Sequence, residues 1–134
     1  MILIDAGPLV ALLSHNDQHR RRCSSALRAI RDEMGTVWPA VAEAMHLLKP
    51  SPPTQQALLR KLAEGELRLF PLDRRDLPRI GELMAKYRDR PMDLADAALV
   101  RIAERERLDA IFTVDRDDFL VYRIEGRRRF RIIP

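Results

Sequence analysis

The chain has 134 residues, 46% hydrophobic and 33% charged, which fits one soluble globular domain with a core that needs no staples. It has no run of about 18 apolar residues, which excludes a membrane-spanning helix, and the apolar start MILIDAGPLVALLSHND lacks a basic leader and does not read as a signal peptide. The net charge is +4, and the lone Cys23 can form no internal disulfide; it reads as a partly buried helix residue of a cytoplasmic protein.

Residues 1–4, MILI, form a short apolar run stopped by Asp-Ala-Gly-Pro, which predicts a buried strand and a turn. Pro8, at a first helical position, leads into LVALL. Residues 17–33 predict a helix with Cys23, Ala26, Leu27 and Ile30 on one face, broken by Gly35. TVW, 36–38, predicts a strand with Trp38 in the core, and Pro39 opens the helix AVAEAMHLL. KPSPPTQQ, 49–56, reads as a turn between helices, and 54–64 as a helix closed by Gly65. LRLFPL, 67–72, predicts a strand. Asp73 caps a helix to about Tyr87, and Asp93 opens another to about Arg107. DAIFTV, 109–114, predicts a buried strand, DRDDF a turn or short helix, and FRIIP a last strand. This alternation predicts a three-layer α/β/α sandwich around a mainly parallel sheet, in a single domain over 1–134.

Ligands of such sheets bind at the carboxyl ends of the strands. Asp5 follows the first strand and Asp115 follows IFTV, so both are expected on one edge. Taken singly, Asp5, Asp93 and Asp115 read as helix or turn caps, and Asp96 as the acid at N3 of a capping-box start. Glu43 does not fit that explanation. It lies well inside AVAEAMHLL, between Ala40 and Leu47 on one face, where an ionised carboxylate must reach the surface or meet a cation. Several carboxylates at one edge repel unless protons are retained or a divalent ion neutralises them. An oxygen-only set points to Mg²⁺ or Mn²⁺, and no His/Cys pair has zinc spacing. Two basic clusters, Arg20–Arg22 and Arg127–Arg129 with Arg131, are candidates for nucleic-acid contact or plain solvated surface.

The strings MILIDAGPLVALL, TVWPAVAEAMHLL, MDLADAALVRIAER and IFTVDRDDF, in that order, resemble a PIN domain of the VapC-like toxin ribonucleases. The resemblance spans residues 2–119. It implies Mg²⁺-dependent cleavage of RNA to 5′-phosphate and 3′-hydroxyl ends, inhibition by a cognate antitoxin, and frequent homodimers. By position, the family's four acids fall on Asp5, Glu43, Asp96 and Asp115, with Asp5, Asp96 and Asp115 expected to hold the metal. Asp93 is expected to help, and Asp117 to be a solvated residue. Many members carry Ser or Thr two residues after the first acid, where this chain has Gly7; Thr113 is expected to supply a hydroxyl instead. Arg116 is expected either to grip a phosphate or to be an exposed arginine. Apolar residues between 40 and 63, including Leu47, Leu48, Leu58, Leu59 and Leu62, read mostly as core, with some left for a dimer or antitoxin face. Rival readings are a non-catalytic RNA- or protein-binding domain, a processing nuclease that is not a toxin, and a phosphatase using Asp5 as nucleophile. The last usually needs an aspartate where Gly7 stands.

Overall fold

The computed structural model describes all residues, 1–134. Five parallel strands form the central sheet in the order β3-β2-β1-β4-β7: β1 Ile2–Ile4, β2 Met34–Thr36, β3 Arg68–Leu69, β4 Ala110–Phe112 and β7 Arg131–Ile133. The two central strands β1 and β4 are apolar throughout because both faces are covered. Leu3 and Ile111 enter the core on one face, while Ile2, Ile4, Ala110 and Phe112 enter the core on the other. The first core is closed by α5 (Leu77–Lys86) and α6 (Leu94–Glu106); the second by α1 (Ala6–Leu13), α2 (Arg20–Ala29) and α4 (Pro52–Ala63). Between them, α3 (Trp38–Leu47) gives Ala40 to one core and Val41 and Ala44 to the other. This is the expected three-layer arrangement. No helix is long and apolar enough to cross a membrane.

Several boundaries differ from the sequence reading for identifiable reasons. The helix expected over 17–33 is α2, ending at Ala29, so Gly35 does not break it. Gly35 instead lies inside β2, where an added Cβ would stand 2.4 Å from the Phe70 ring. The strand placed at 36–38 therefore begins and ends two residues earlier. Trp38 is 54% exposed rather than core. The buried stripe of this segment runs Val37, Val41, Ala44, Leu48, and Trp38 is one step off it. Leu47 is off the same stripe and exposed, Leu59 is also exposed, and Leu48 and Leu58 are buried. Pro52 and Pro53 form the first turn of α4 rather than a loop, because the first turn needs no N–H donors. Around the expected strand 67–72, pairing survives only at Arg68–Leu69.

Asp73 and Asp76 form a reciprocal capping box in a 3₁₀ turn that leads into α5. After β4 comes α7 (Arg116–Val121), and then a hairpin that the sequence reading missed, β5 (Arg123–Ile124) paired with β6 (Arg128–Arg129). Its turn uses Glu125 and Gly126 at positive φ.

Candidate active site

Parallel pairing of β1 with β4 sets the geometry. Ile4 lies beside Phe112, so Asp5 and Thr113 leave the sheet together, and the Asp5 N–H donates to the Phe112 carbonyl at 3.0 Å. Asp5 then caps α1: one carboxylate oxygen accepts from the Ala6 N–H at 2.8 Å. The other accepts from the Thr113 hydroxyl at 3.0 Å, and that hydroxyl in turn accepts from the Asp115 N–H at 3.0 Å. Thr113 therefore ties the first acid to the fourth. A Cβ on residue 7 would stand 2.5 Å from Val114 Cγ2. Val114 thus fills the space that a side chain at residue 7 would take, and the hydroxyl beside Asp5 is that of Thr113.

The Asp93/Asp96 pair both caps a helix and faces the basin. Asp93 caps α6, accepting from the Asp96 N–H at 2.8 Å. Asp96 does not return the favour as a capping-box partner. The residue is 8% exposed, and its carboxylate accepts from the Tyr122 hydroxyl at 2.8 Å. Tyr122 is itself held edge-on between Tyr87 and Phe119, each 5.1 Å away between ring centres. Glu43 is exposed on α3, the first of the two outcomes its position allowed, so it does not bear the full cost of desolvation. It nevertheless senses the charges of Asp93 and Asp115.

The electrostatics identify one basin. Burial, together with the charges of Asp115 and Glu43, pushes the Asp5 carboxyl up to about 7 against the pull of its two hydrogen bonds. Burial, then the Asp5 charge, pushes Asp96 up to about 8, with Asp93 and Asp118 adding to it. Burial raises Asp115 too, reinforced by Asp118 and Asp93, while His19 pulls it back. Glu43 is raised by the partial burial it keeps beside the site and by the charges of Asp93 and Asp115.

None of Asp5, Glu43, Asp93, Asp96 and Asp115 is ion-paired with a protein cation; the eleven ion pairs all lie elsewhere. No three Asp, Glu, His or Cys side chains close into a ready metal cage. That looseness still fits Mg²⁺, which takes one or two carboxylates and keeps much of its water.

Beside Asp115 lies an open polar depression of about 410 Å³ lined by Arg90, Arg116, Asp117 and Asp118. Arg90 pairs with Asp118 at 2.8 Å. Arg116 is exposed and spends one N–H on the Pro134 carbonyl at 2.9 Å, so its grip on a phosphate would use the remaining donors. Asp117 is exposed, as expected. Asp118 and Tyr122 were missed by the sequence reading. Asp118 was findable, three residues beyond Asp115 on the same helical face. Tyr122 was not, being 26 residues from Asp96 with no motif joining them.

The fold that carries these acids, a five-stranded parallel sheet between helical layers, is that of a known class. A family model for the PIN domain matches residues 2–125, and the chain belongs to that family. Within it, the chain is 29% identical to ribonuclease VapC26 of Mycobacterium tuberculosis, over 99% of this chain and all of that one. Its fold resembles the crystal structure of Mycobacterium tuberculosis VapC20, described as a sarcin-ricin loop cleaving toxin. The TM-score is 0.79 at 13% identity, covering 87% of this chain and 92% of that one. A toxin–antitoxin complex from Klebsiella pneumoniae gives 0.71 at 22% identity, over 100% and 97%.

Proposed function

We propose that the protein is a Mg²⁺-dependent endoribonuclease and the toxin of a type II toxin–antitoxin module. What supports this reading is that Asp5 feels the charges of Asp115 and Glu43, and Asp96 that of Asp5, while none of the four acids is paired with a protein cation. Similarity along the whole chain to a VapC ribonuclease supports RNA as substrate. Likeness to a chain of a toxin–antitoxin complex supports a cognate antitoxin as partner. The reading includes a cytoplasmic homodimer, for which light scattering should return twice the monomer mass.

Asp5, Asp96 and Asp115 are the residues to hold Mg²⁺, or Mn²⁺ in its place, with Asp93 supporting and Glu43 completing the ring. Once bound, the cation supplies Lewis acidity and neutralises charge developing on the phosphate. Thr113 holds Asp5 and the start of α7 in register, and Tyr122 fixes Asp96. Glu43, exposed and with raised proton affinity, takes the proton of the attacking water. The water oxygen bonds to phosphorus as the bond to the ribose 3′ oxygen breaks. That oxygen takes up a proton, leaving 5′-phosphate and 3′-hydroxyl ends. Arg116 steadies a non-bridging oxygen.

The test is cleavage of end-labelled RNA by the purified protein with Mg²⁺ and with EDTA, alongside Asp5→Asn. Cleavage that needs Mg²⁺ and is lost in the variant supports the reading. Unchanged cleavage by Asp5→Asn rejects this site, and the absence of cleavage of any RNA favours a binding domain.

A further inference from the structure

The two arginine clusters of the sequence take different places and different partners. In the C-terminal one, Arg127 and Arg128 both lean on Glu125, at 3.5 and 3.6 Å. Arg131 pairs with Ala110 at the start of β4, and its N–H donates to the Asp109 carbonyl, so it stands at the sheet edge opposite Asp115. The other cluster lies on α2, which carries no acidic residue. Arg21, Arg22 and Arg28 are exposed and make no ion pair. Arg20 spends one N–H on the Leu12 carbonyl.

The inner face of α2 is sealed by Cys23, with Ala26, Leu27 and Ile30 against the same core, and this forces the arginines outward. Together with the preceding loop they line an open depression of about 630 Å³, which has no apolar lining residue and a single acid, Asp17. That acid's carboxylate is engaged by the His19 N–H at 2.8 Å. Arg20, Arg21 and Arg28, with the hydroxyls of Ser24 and Ser25, supply donors, and Asp17 is the one anionic acceptor among the lining residues.

The direction of α2 links this surface to the acidic basin. Its C-terminal end, Ala29 and Ile30, shares a depression with Ile2 and Arg131 at the amino edge of the sheet. Its N-terminal end, carrying His19, lies toward the opposite edge, where Asp5 and Asp115 leave the sheet. The helix thus runs about 15 Å, from the acidic edge to the far edge.

We infer that the outward face of α2, with Arg21, Arg28 and the loop before it, is the track that holds the sugar–phosphate backbone of a single RNA strand leading to the basin. This rests on the ribonuclease reading of the acidic site. An acidic basin repels RNA on its own, and a carboxylate-free row of guanidiniums beside it provides the compensating attraction. Arginine is suited to this because its fork grips phosphate through two donors.

The test measures binding of a fluorescein-labelled single-stranded RNA by anisotropy in EDTA, where no metal-dependent cleavage intervenes. Arg21→Glu/Arg28→Glu changes two exposed, unpaired side chains, and a melting curve checks that its fold is intact. It should weaken binding by about tenfold or more and flatten the salt dependence by on the order of 1.4 in log–log slope. Arg127→Glu/Arg129→Glu, on the β5–β6 hairpin held against the C-terminal end of α6, should leave affinity within about twofold. Equal losses in the two variants, or no loss in the α2 variant, would overturn the track. So would unchanged RNA affinity with lost binding of a poly-aspartate peptide, which would assign the surface to an acidic protein. Binding lost in the α2 variant while Asp5→Asn still cleaves would reject the proposed site and keep the track; the reverse pattern would reject only the track.

Discussion

Helix α6 joins two groups of carboxylates about 20 Å apart that are treated in opposite ways. At its C-terminal end Glu104 is gripped by Arg79 through two bonds of 2.8 Å and also accepts from the Glu125 N–H at 2.7 Å. Nearby, Asp76 is bonded by Arg101 and Arg105, both at 2.9 Å, and by the Asp73 N–H. Burial pushes both acids up, but the arginines and backbone donors outweigh it and leave both below their ordinary values. At the N-terminal end Asp93 and Asp96 meet Asp5, Glu43 and Asp115 with no arginine among them, and Asp5, Glu43, Asp96 and Asp115 are pushed up. One group has its charge balanced inside the protein and serves the fold. The other keeps its charge for something that comes from outside.

The largest expected effect breaks the second group. Asp96→Asn keeps an acceptor for the Tyr122 hydroxyl but removes a charge, and Asp5→Asn does the same at the strand end. RNA cleavage should fall by about a thousandfold or more in either, while both proteins melt higher than the wild type at pH 8. The sign follows from the raised carboxyls at about 7 and about 8. Their cost is fully present above those values and is relieved as pH falls toward the unfolded value near 4, so the melting advantage should vanish near pH 4.

Next in size is Arg79→Ala, which strands the buried Glu104. Arg79 is itself partly exposed, so the loss should be at the low end for such pairs, about 2–3 kcal/mol by urea unfolding. Cleavage per folded molecule should be unchanged. Here the sign is reversed: a lowered carboxyl contributes stability above its unfolded value near 4 and loses it as pH falls through the folded one. The variant should therefore differ most from the wild type at neutral pH and least once the pH has fallen through the lowered value of Glu104.

A smaller effect sharpens the geometry inside the basin. Thr113→Val keeps the shape but leaves the Asp115 N–H and one Asp5 oxygen without their shared hydroxyl. Cleavage should drop roughly tenfold with the pH profile displaced, and stability should fall by about 1 kcal/mol. An unchanged pH profile would mean the hydroxyl only serves packing.

Much of this was legible in the sequence. Apolar strands of three or four residues, each followed by an acid or a helix start, dictated the parallel sheet and its functional edge. The acids Asp5, Glu43, Asp96 and Asp115 stood in four separated strings, and the fold sets them within reach of one another's charge. What stayed hidden depended on tertiary contact. The exposure of Trp38 follows from which turn of α3 meets the layers, and Gly35 is explained only by the Phe70 ring across the sheet. The Tyr122–Asp96 bond joins segments with no shared pattern, and the arginine pairing of Glu104 and Asp76 needs α5 docked on α6. The hairpin turn at Glu125–Gly126 is held in part by that same Glu104.

The most direct measurement is the shift in melting temperature caused by Mg²⁺ at pH 8 and at pH 5. If the unpaired acids await a cation, Mg²⁺ should raise the melting temperature by several degrees at pH 8, by far less at pH 5 where Asp5 and Asp96 are protonated, and hardly at all in Asp5→Asn/Asp96→Asn. A shift of equal size at both pH values, or one that survives in the double variant, would contradict the account.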